Sequence, residues 1–287
     1  MSETLGEFYT MQEKYAEGLK AFDAYFASTE APSPAARYLR GLCRMGLYDY
    51  EGAIEDMTAA LDSEAHRAAA LYRRGLCRMQ LGALKPAEED FTAAIDARPG
   101  LDGARYNRGL CRMSLARKLA GPESAELYRR AAGDFAVSAQ TESYVVDSLF
   151  NEALCRMQLG QYAHAASMLD GLLENEIYSS AARLAAAACR MHMGDFSAAK
   201  AGFDHCVAAG YEEGRSRLCR GVCLAGLGDL QAAAADFNRN IAQNVLVSAS
   251  YYGRGMLRLR QGDAEGGEAD LFRAFQTGEG ATEISLL

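Results

Sequence analysis

The chain has 287 residues, 49% apolar and 24% charged, with a net charge of −8 and a pI of about 5.2. That balance excludes wholesale disorder and argues against a protein that coats nucleic acid or grips membranes through basic residues. The polar, acidic start MSETLGEFYT has no apolar secretory core and no apolar run reaches the ~18 residues of a membrane span, so the eight Cys are expected to be reduced thiols of a cytoplasmic protein.

The first element in chain order is a helix opened by Thr4-Leu5-Gly6-Glu7, which reads as a capping box. Gly6 is also the weakest copy of a recurring string. GLCRM begins at Gly41, Gly75 and Gly109, ALCRM at Ala153, AACRM at Ala187, GVCLA at Gly221 and GMLRL at Gly255. Successive anchors at 6, 41, 75, 109, 153, 187, 221 and 255 lie 35, 34, 34, 44, 34, 34 and 34 residues apart. The chain is therefore eight repeats of about 34 residues with one 10-residue insert. The length prior of about two domains gives way to one repeat domain over 1–287 with a short tail at 277–287.

With the anchor as zero, position +12 is small: Gly18, Ala53, Ala87, Ala131, Ala165, Ala199, Ala233 and Gly267. Position +16 is large and apolar: Phe22, Met57, Phe91, Phe135, Leu169, Phe203, Phe237 and Leu271. With +20 it makes an i, i+4 stripe on a second helix. Turn signals such as Leu81-Gly82, Met193-Gly194-Asp195 and Leu227-Gly228-Asp229 separate the two helices. Each repeat reads as helix, tight turn, helix. In the fourth repeat the insert, about Ala116–Ala125 with its Gly121-Pro122 turn, is expected to lengthen the first helix and the loop, and is a candidate contact loop.

This pattern resembles the tetratricopeptide repeat (TPR) family: the period of 34, the Gly anchor, the small +12, the aromatic +16, the Asp/Gly turn and the closing Ala97-Arg98-Pro99 all match. The resemblance covers essentially the whole chain. It implies an all-α, right-handed α-solenoid of about eight helix-turn-helix repeats that serves as a protein-binding scaffold. One departure is the Cys-Arg-Met stretch, where the family usually has apolar or aromatic residues.

Six Cys recur at +2 (Cys43, Cys77, Cys111, Cys155, Cys189 and Cys223). Equivalent positions point the same way a repeat apart, so they cannot meet as disulfides and read as small core residues. Cys206 falls where other repeats have Ala, and neither the Cys219/Cys223 pair nor the four His show metal spacing. No phosphate loop or nucleophile motif is present. The expectation is no enzyme, no cofactor and no metal.

A charge pattern runs through the repeats. Arg40, Arg74, Arg108, Arg220 and Arg254 stand at −1, and Asp56, Asp90, Asp134, Asp236 and Asp270 stand at +15 of the same five repeats. The other three repeats have neither residue (Leu5 with Ala21, Glu152 with Met168, Ala186 with Gly202). Joint retention and joint loss predict an Arg–Asp clamp between the two helices of a repeat. A second Arg recurs at +3: Arg44, Arg78, Arg112, Arg156, Arg190 and Arg258. It persists where the Asp is missing, so its partner is expected to be a different one, with carbonyls at the helix end as a target.

On the first helix, −3, +1 and +4 share a face. They read Tyr38-Leu42-Met45, Tyr72-Leu76-Met79, Tyr106-Leu110-Met113 and Phe150-Leu154-Met157 in repeats two to five. In the TPR resemblance this face lines the concave groove. Leu and Met here also suit packing between first helices, while Tyr with a polar tip and adaptable Met suit an apolar peptide or amphipathic helix. The expected anchors are Tyr38, Tyr72, Tyr106 and Phe150 with Met45, Met79, Met113 and Met157, and Gln80, Ser114, Gln158, His192 and Arg260 tune specificity. The Asn/Lys/Arg carboxylate clamp of chaperone-tail binders is not expected, because its Asn slot at +1 is apolar from the second repeat on. The leading function is an adaptor for a protein or peptide partner, with no nucleic acid and no membrane. The alternative is an assembly protein that self-associates weakly through its C-terminal face, where Leu271 and Phe275 precede the apolar tail Ile284–Leu287.

Overall fold

The computed structural model describes residues 3–277, and among them the chain is sixteen α-helices with no strand. Repeat one gives α1 (Glu3–Met11) and α2 (Tyr15–Ala27), repeat two α3 (Pro34–Gly46) and α4 (Tyr50–Ala59), and repeat three α5 (Glu64–Gln80) and α6 (Leu84–Ala97). Repeat four gives α7 (Asp102–Ala116) and α8 (Pro122–Ser138), and repeat five α9 (Val145–Gln158) and α10 (Tyr162–Asp170). The last three give α11 (Ser179–His192) and α12 (Phe196–Ala208), α13 (Glu213–Gly226) and α14 (Leu230–Ala242), and α15 (Val247–Arg260) and α16 (Ala264–Gln276).

The turn inside each repeat has a specific chemistry. At +7 the backbone takes positive φ, from +72° to +88° at Gly82, Gly160, Gly194, Gly228 and Gly262, a region glycine enters without a Cβ clash. Tyr48 (φ 63°) and Glu13 (φ 56°) hold the same place in repeats two and one. At +8, Asp49, Asp195, Asp229 and Asp263 cap the following helix, accepting from backbone N–H groups of Gly52, Ala198, Ala232 and Gly266 at 2.9–3.1 Å.

The chain divides into two compact halves, residues 1–159 and 160–287. In the first half each helix from α1 to α9 packs on the next, and α1 also touches α3, α3 touches α5 and α5 touches α7. In the second half α10 to α16 pack in the same sequence, with α11 on α13 and α13 on α15. The skip-one contacts run along the first helices of the repeats, so these helices share one face in each half.

The anchor is small because the +16 side chain of the second helix lies on it. A methyl added to Gly75 would sit 2.7 Å from the Phe91 ring, one on Gly109 2.8 Å from Phe135 and one on Gly221 2.7 Å from Phe237. Phe22, Phe91, Phe135 and Phe203 are fully buried, as is Ala at +12 from Ala53 to Ala233. All eight Cys are buried and unpaired, Cys206 and Cys219 included, which places the Cys columns in the core as expected.

Two local expectations need correction. The helix α1 is already running at Glu3, so Thr4 lies inside it rather than capping it, and the Glu3 carboxylate accepts instead from Ser33 Oγ at 2.5 Å. The insert goes mainly to the second helix. Other first helices end at +5 and other second helices begin at +9. The helix α7 runs two residues further, to Ala116, while α8 starts six residues early, at Pro122, whose fixed φ suits a first helical position. Ser124 Oγ donates to the Ala116 carbonyl at 2.9 Å and closes the loop. The expected tail contact by Ile284–Leu287 lies outside the described residues.

Candidate functional site

The predicted anchors, with Gln80, Ser114 and Gln158, fall in the first half, while His192, stacked on Tyr162 at 4.7 Å, and Arg260 lie exposed in the second. Tyr38, Tyr72, Tyr106 and Phe150 on α3, α5, α7 and α9 are half-buried, as are Met45, Met79 and Met157, while Gln80 and Gln158 are exposed. Met113 is only 6% exposed among Ala116, Tyr128 and Phe135, and offers the least surface of the four Met. Tyr38, Leu42 and Met45 pack against Met57, Ala60 and Ala70, and Tyr72, Leu76 and Met79 against the core around Phe91.

The tyrosine tips are held by the following repeat. Asn107 Nδ2 donates to the Tyr72 hydroxyl at 3.4 Å, and Asn151 Nδ2 donates to the Tyr106 hydroxyl at 3.3 Å. Tyr38 lies 5.5 Å from the His66 ring. Between Tyr72 and Tyr106 stands Tyr144, which stacks on Tyr106 at 5.1 Å and brings its hydroxyl beside that of Tyr72 next to Gly103. Burial, then the Tyr144 neighbour, raises the Tyr72 pKa; burial, then Asp147, raises that of Tyr106. Tyr144 sits in the connection between repeats, where no column of the alignment could mark it. These rings are therefore pre-ordered, which lowers the entropy lost when they receive a ligand.

On the other side of the first helices the Arg–Asp clamp forms in all five repeats that carry it. Each −1 Arg donates Nη2–H to one Asp oxygen at 2.6–2.7 Å (Arg40 to Asp56, Arg74 to Asp90, Arg108 to Asp134, Arg220 to Asp236, Arg254 to Asp270). Each also donates Nε–H to the same carboxylate at 2.7–3.0 Å. The five Asp are 0–6% exposed, so these are not solvated surface pairs. The Asp236 hydrogen bonds hold the Arg220 guanidinium above its ordinary pKa, against desolvation.

The +3 Arg corrects the expectation of a different partner. Arg44, Arg78, Arg112 and Arg258 reach the same clamp Asp at 2.8–3.0 Å. Three of them also donate to a carbonyl, of Gly52, Pro86 and Gly266, at the start of the second helix rather than at the end of their own. Where the Asp is missing the +3 Arg turns elsewhere: Arg156 to Glu152 at 2.9 Å, Arg190 to Asp170 at 2.5 Å.

A further column escaped the sequence reading. The remaining N–H of each −1 Arg reaches +17 of the preceding repeat, at Asp23, Thr58, Thr92, Asp204 and Asn238, over 2.5–3.3 Å. The clamp within a repeat is therefore also a latch between repeats. The signal was present as a polar +17 in each repeat that precedes a −1 Arg.

A sequence model of the tetratricopeptide repeat matches residues 44–102 and 190–244. These are tetratricopeptide repeats. The TPR assignment agrees with solved structures of similar fold. A TPR protein from Parabacteroides merdae shares 19% identity at a TM-score of 0.61, over 88% of this chain and 98% of its own. The C-terminal part of a TPR repeat-containing protein from Cytophaga hutchinsonii shares 16% identity at 0.61, over 84% and 95%. PilW, a type IV pilus biogenesis factor, shares 21% identity at 0.50, over 73% and 92%. No curated protein matches the chain. TPR proteins generally bind protein partners and are typically non-enzymatic scaffolds. No helix among the described residues is long and apolar enough to cross a membrane.

The packed core also sets thiol chemistry. Burial pushes Cys111, Cys155 and Cys223 up to about 12, and Cys77, Cys189 and Cys219 up to about 11. The reactive thiolate is thus scarce and shielded at neutral pH. Native protein at pH 7.5 (about neutral) is expected to resist maleimide labelling on a timescale that labels all eight Cys in urea. Rapid native labelling, read by mass spectrometry, would contradict this.

Proposed function

We propose that this chain is an adaptor that holds an apolar peptide or helical segment of a partner protein on the first-helix face of residues 1–159. The observation that carries the reading is the run of pre-ordered, half-buried aromatic and Met side chains on contiguous first helices, from Tyr38 and Met45 through Tyr72 and Met79 to Tyr106. Rigid aromatic area beside adaptable thioethers suits an amphipathic helix laid in a groove. Exposed Gln80 and Gln158 supply the polar edge. The net charge of −8 favours protein over nucleic acid, and eight free thiols fit a reducing cytoplasm.

Truncating the tyrosines is a poor test, because Tyr72 and Tyr106 also tie repeats together. The buried native thiols allow a cleaner one. A fluorophore is attached at Gln80→Cys, at Gln158→Cys and, as a control, at Glu51→Cys on exposed α4 surface. Peptides selected on the protein from a displayed random library are expected to change emission at 80 and 158 and leave 51 unchanged. A response at 51 alone, or equally at all three, rejects the face.

A second reading is self-contact through α16, where Phe272 and Phe275 are 61% and 83% exposed. It expects a concentration-dependent mass in light scattering that Phe272→Ser/Phe275→Ser abolishes. A constant monomer mass overturns it.

A further inference from the structure

The sixth repeat has lost both clamp residues, with Ala186 at −1 and Gly202 at +15. The space they would fill is open. A recess of about 210 Å³ lies there, lined by Arg183, Ala186, Arg190, Gly202 and Asp170 among others. The seventh repeat supports the link between missing clamp residues and open space. There +3 is Leu224 instead of Arg, and a recess of about 370 Å³ opens at the equivalent place beside Arg220, Leu224 and Asp236.

The two recesses differ in charge. In the seventh repeat Arg220 is bonded to Asp236 and Asp204, and Lys200 to Asp204, so both lining cations are already met by carboxylates. In the sixth, Arg190 is paired with Asp170 at 2.5 Å, and the Arg183 side chain has no ion-pair or hydrogen-bond partner among the described residues. Arg183 stands one turn before Ala186 on the same face of α11. It therefore brings a guanidinium to the side of the slot from which the −1 Arg is missing. What the slot lacks, compared with the clamped repeats, is the carboxylate of the +15 Asp.

We infer that this recess is a receptor for a carboxylate, which takes the place of the missing Asp side chain between Arg183 and Arg190. In repeats two, three, four and eight the −1 and +3 Arg meet one Asp with N–H···O distances of 2.6–3.0 Å; here Arg183, at −4, takes the part of the −1 Arg, and Arg190 shares its guanidinium between Asp170 and the incoming group. Planar guanidinium forks select such a group in direction as well as charge. The small walls, Ala186, Ala198, Ala201 and Gly202, leave room for it. The site lies in the second half and does not depend on the adaptor reading.

The full chain is titrated while the Arg183 and Arg190 side-chain Nε–H signals are followed by NMR. Probes are sodium acetate, an N-acetylated and C-amidated peptide with one Glu, the same peptide with Gln and a free C-terminus, and sodium chloride at matched ionic strength. A carboxylate is expected to move both signals by about 100 mM, while chloride leaves them in place. Preference for the Glu peptide or for the free C-terminus names a protein ligand, and equal response to acetate names a small acid. Arg183→Gln is expected to weaken binding at least about tenfold. The triple change Ala186→Arg, Ala187→Gly, Gly202→Asp rebuilds the clamp and is expected to abolish binding. Ala187→Gly is included because a methyl at 202 would lie 2.7 Å from the Ala187 Cβ. No shift with any carboxylate, an equal shift with chloride, or unchanged affinity in Arg183→Gln overturns the site. If the triple variant does not fold, the Arg183→Gln comparison decides alone.

Discussion

Asp90→Ala is expected to lower the unfolding free energy by about 3–5 kcal/mol, more than the double variant Arg74→Ala/Asp90→Ala. The carboxylate is 3% exposed and receives Arg74 at 2.6 Å and Arg78 at 2.8 Å. Removing it leaves two guanidinium groups in a half-buried slot with their charges uncompensated. Arg74 then has only the Thr58 hydroxyl of the preceding repeat, 3.0 Å away, and Arg78 the Pro86 carbonyl at 3.2 Å. Deleting Arg74 as well removes one of the stranded charges. The joint absence of both residues from three repeats is the same rule written in the sequence. Urea melts of the single and double variants check it, and strictly additive losses would show that the pair is not coupled.

Phe91→Ala is expected to cost about 3–5 kcal/mol, with most of the loss from the cavity it leaves. The ring is fully buried among Leu71, Ala87, Ala94, Ile95 and Cys111, and lies on the face of Gly75. Gly75→Ala drives a methyl to 2.7 Å from that ring and is expected to cost about 1–3 kcal/mol through overpacking. The double variant is expected to cost less than the sum, because the new methyl fills part of the space the ring gave up. A loss below about 1 kcal/mol for Phe91→Ala would mean that the neighbours collapse freely, contrary to a close-packed interior.

The parts of the site that were legible in the sequence are those fixed inside one repeat. Arg74 and Asp90 are sixteen residues apart in every clamped repeat but the fourth, where the insert separates Arg108 from Asp134 by twenty-six. The helical rise and a short turn set that geometry, so the columns expose it. The +3 Arg misled for an instructive reason. Its presence in repeats without Asp implied a separate partner, yet the side chain is long enough to choose locally: Asp90 for Arg78, Glu152 for Arg156, Asp170 for Arg190. The latch from −1 to +17 of the preceding repeat was written in the chain as well, but recognising it required knowing which helices neighbour each other. Tyr144 left no periodic trace, since it stands in the connection before α9.

The repeat, its two helices, the buried Cys and Phe columns and the clamp are readable from the order of residues alone. All of these follow from periodicities of a helical hairpin whose apolar stripe must be covered. Packing in three dimensions was needed to show how the ten inserted residues divide between α7, the loop and α8, which carboxylate each second Arg takes, that the Tyr72 and Tyr106 hydroxyls are engaged by Asn107 and Asn151, and that Ala186 and Gly202, standing where the clamp Arg and Asp are missing, leave open space rather than a collapsed core. These depend on packing between neighbouring repeats, where backbone approach and the reach of flexible side chains, rather than spacing along the chain, set which groups meet.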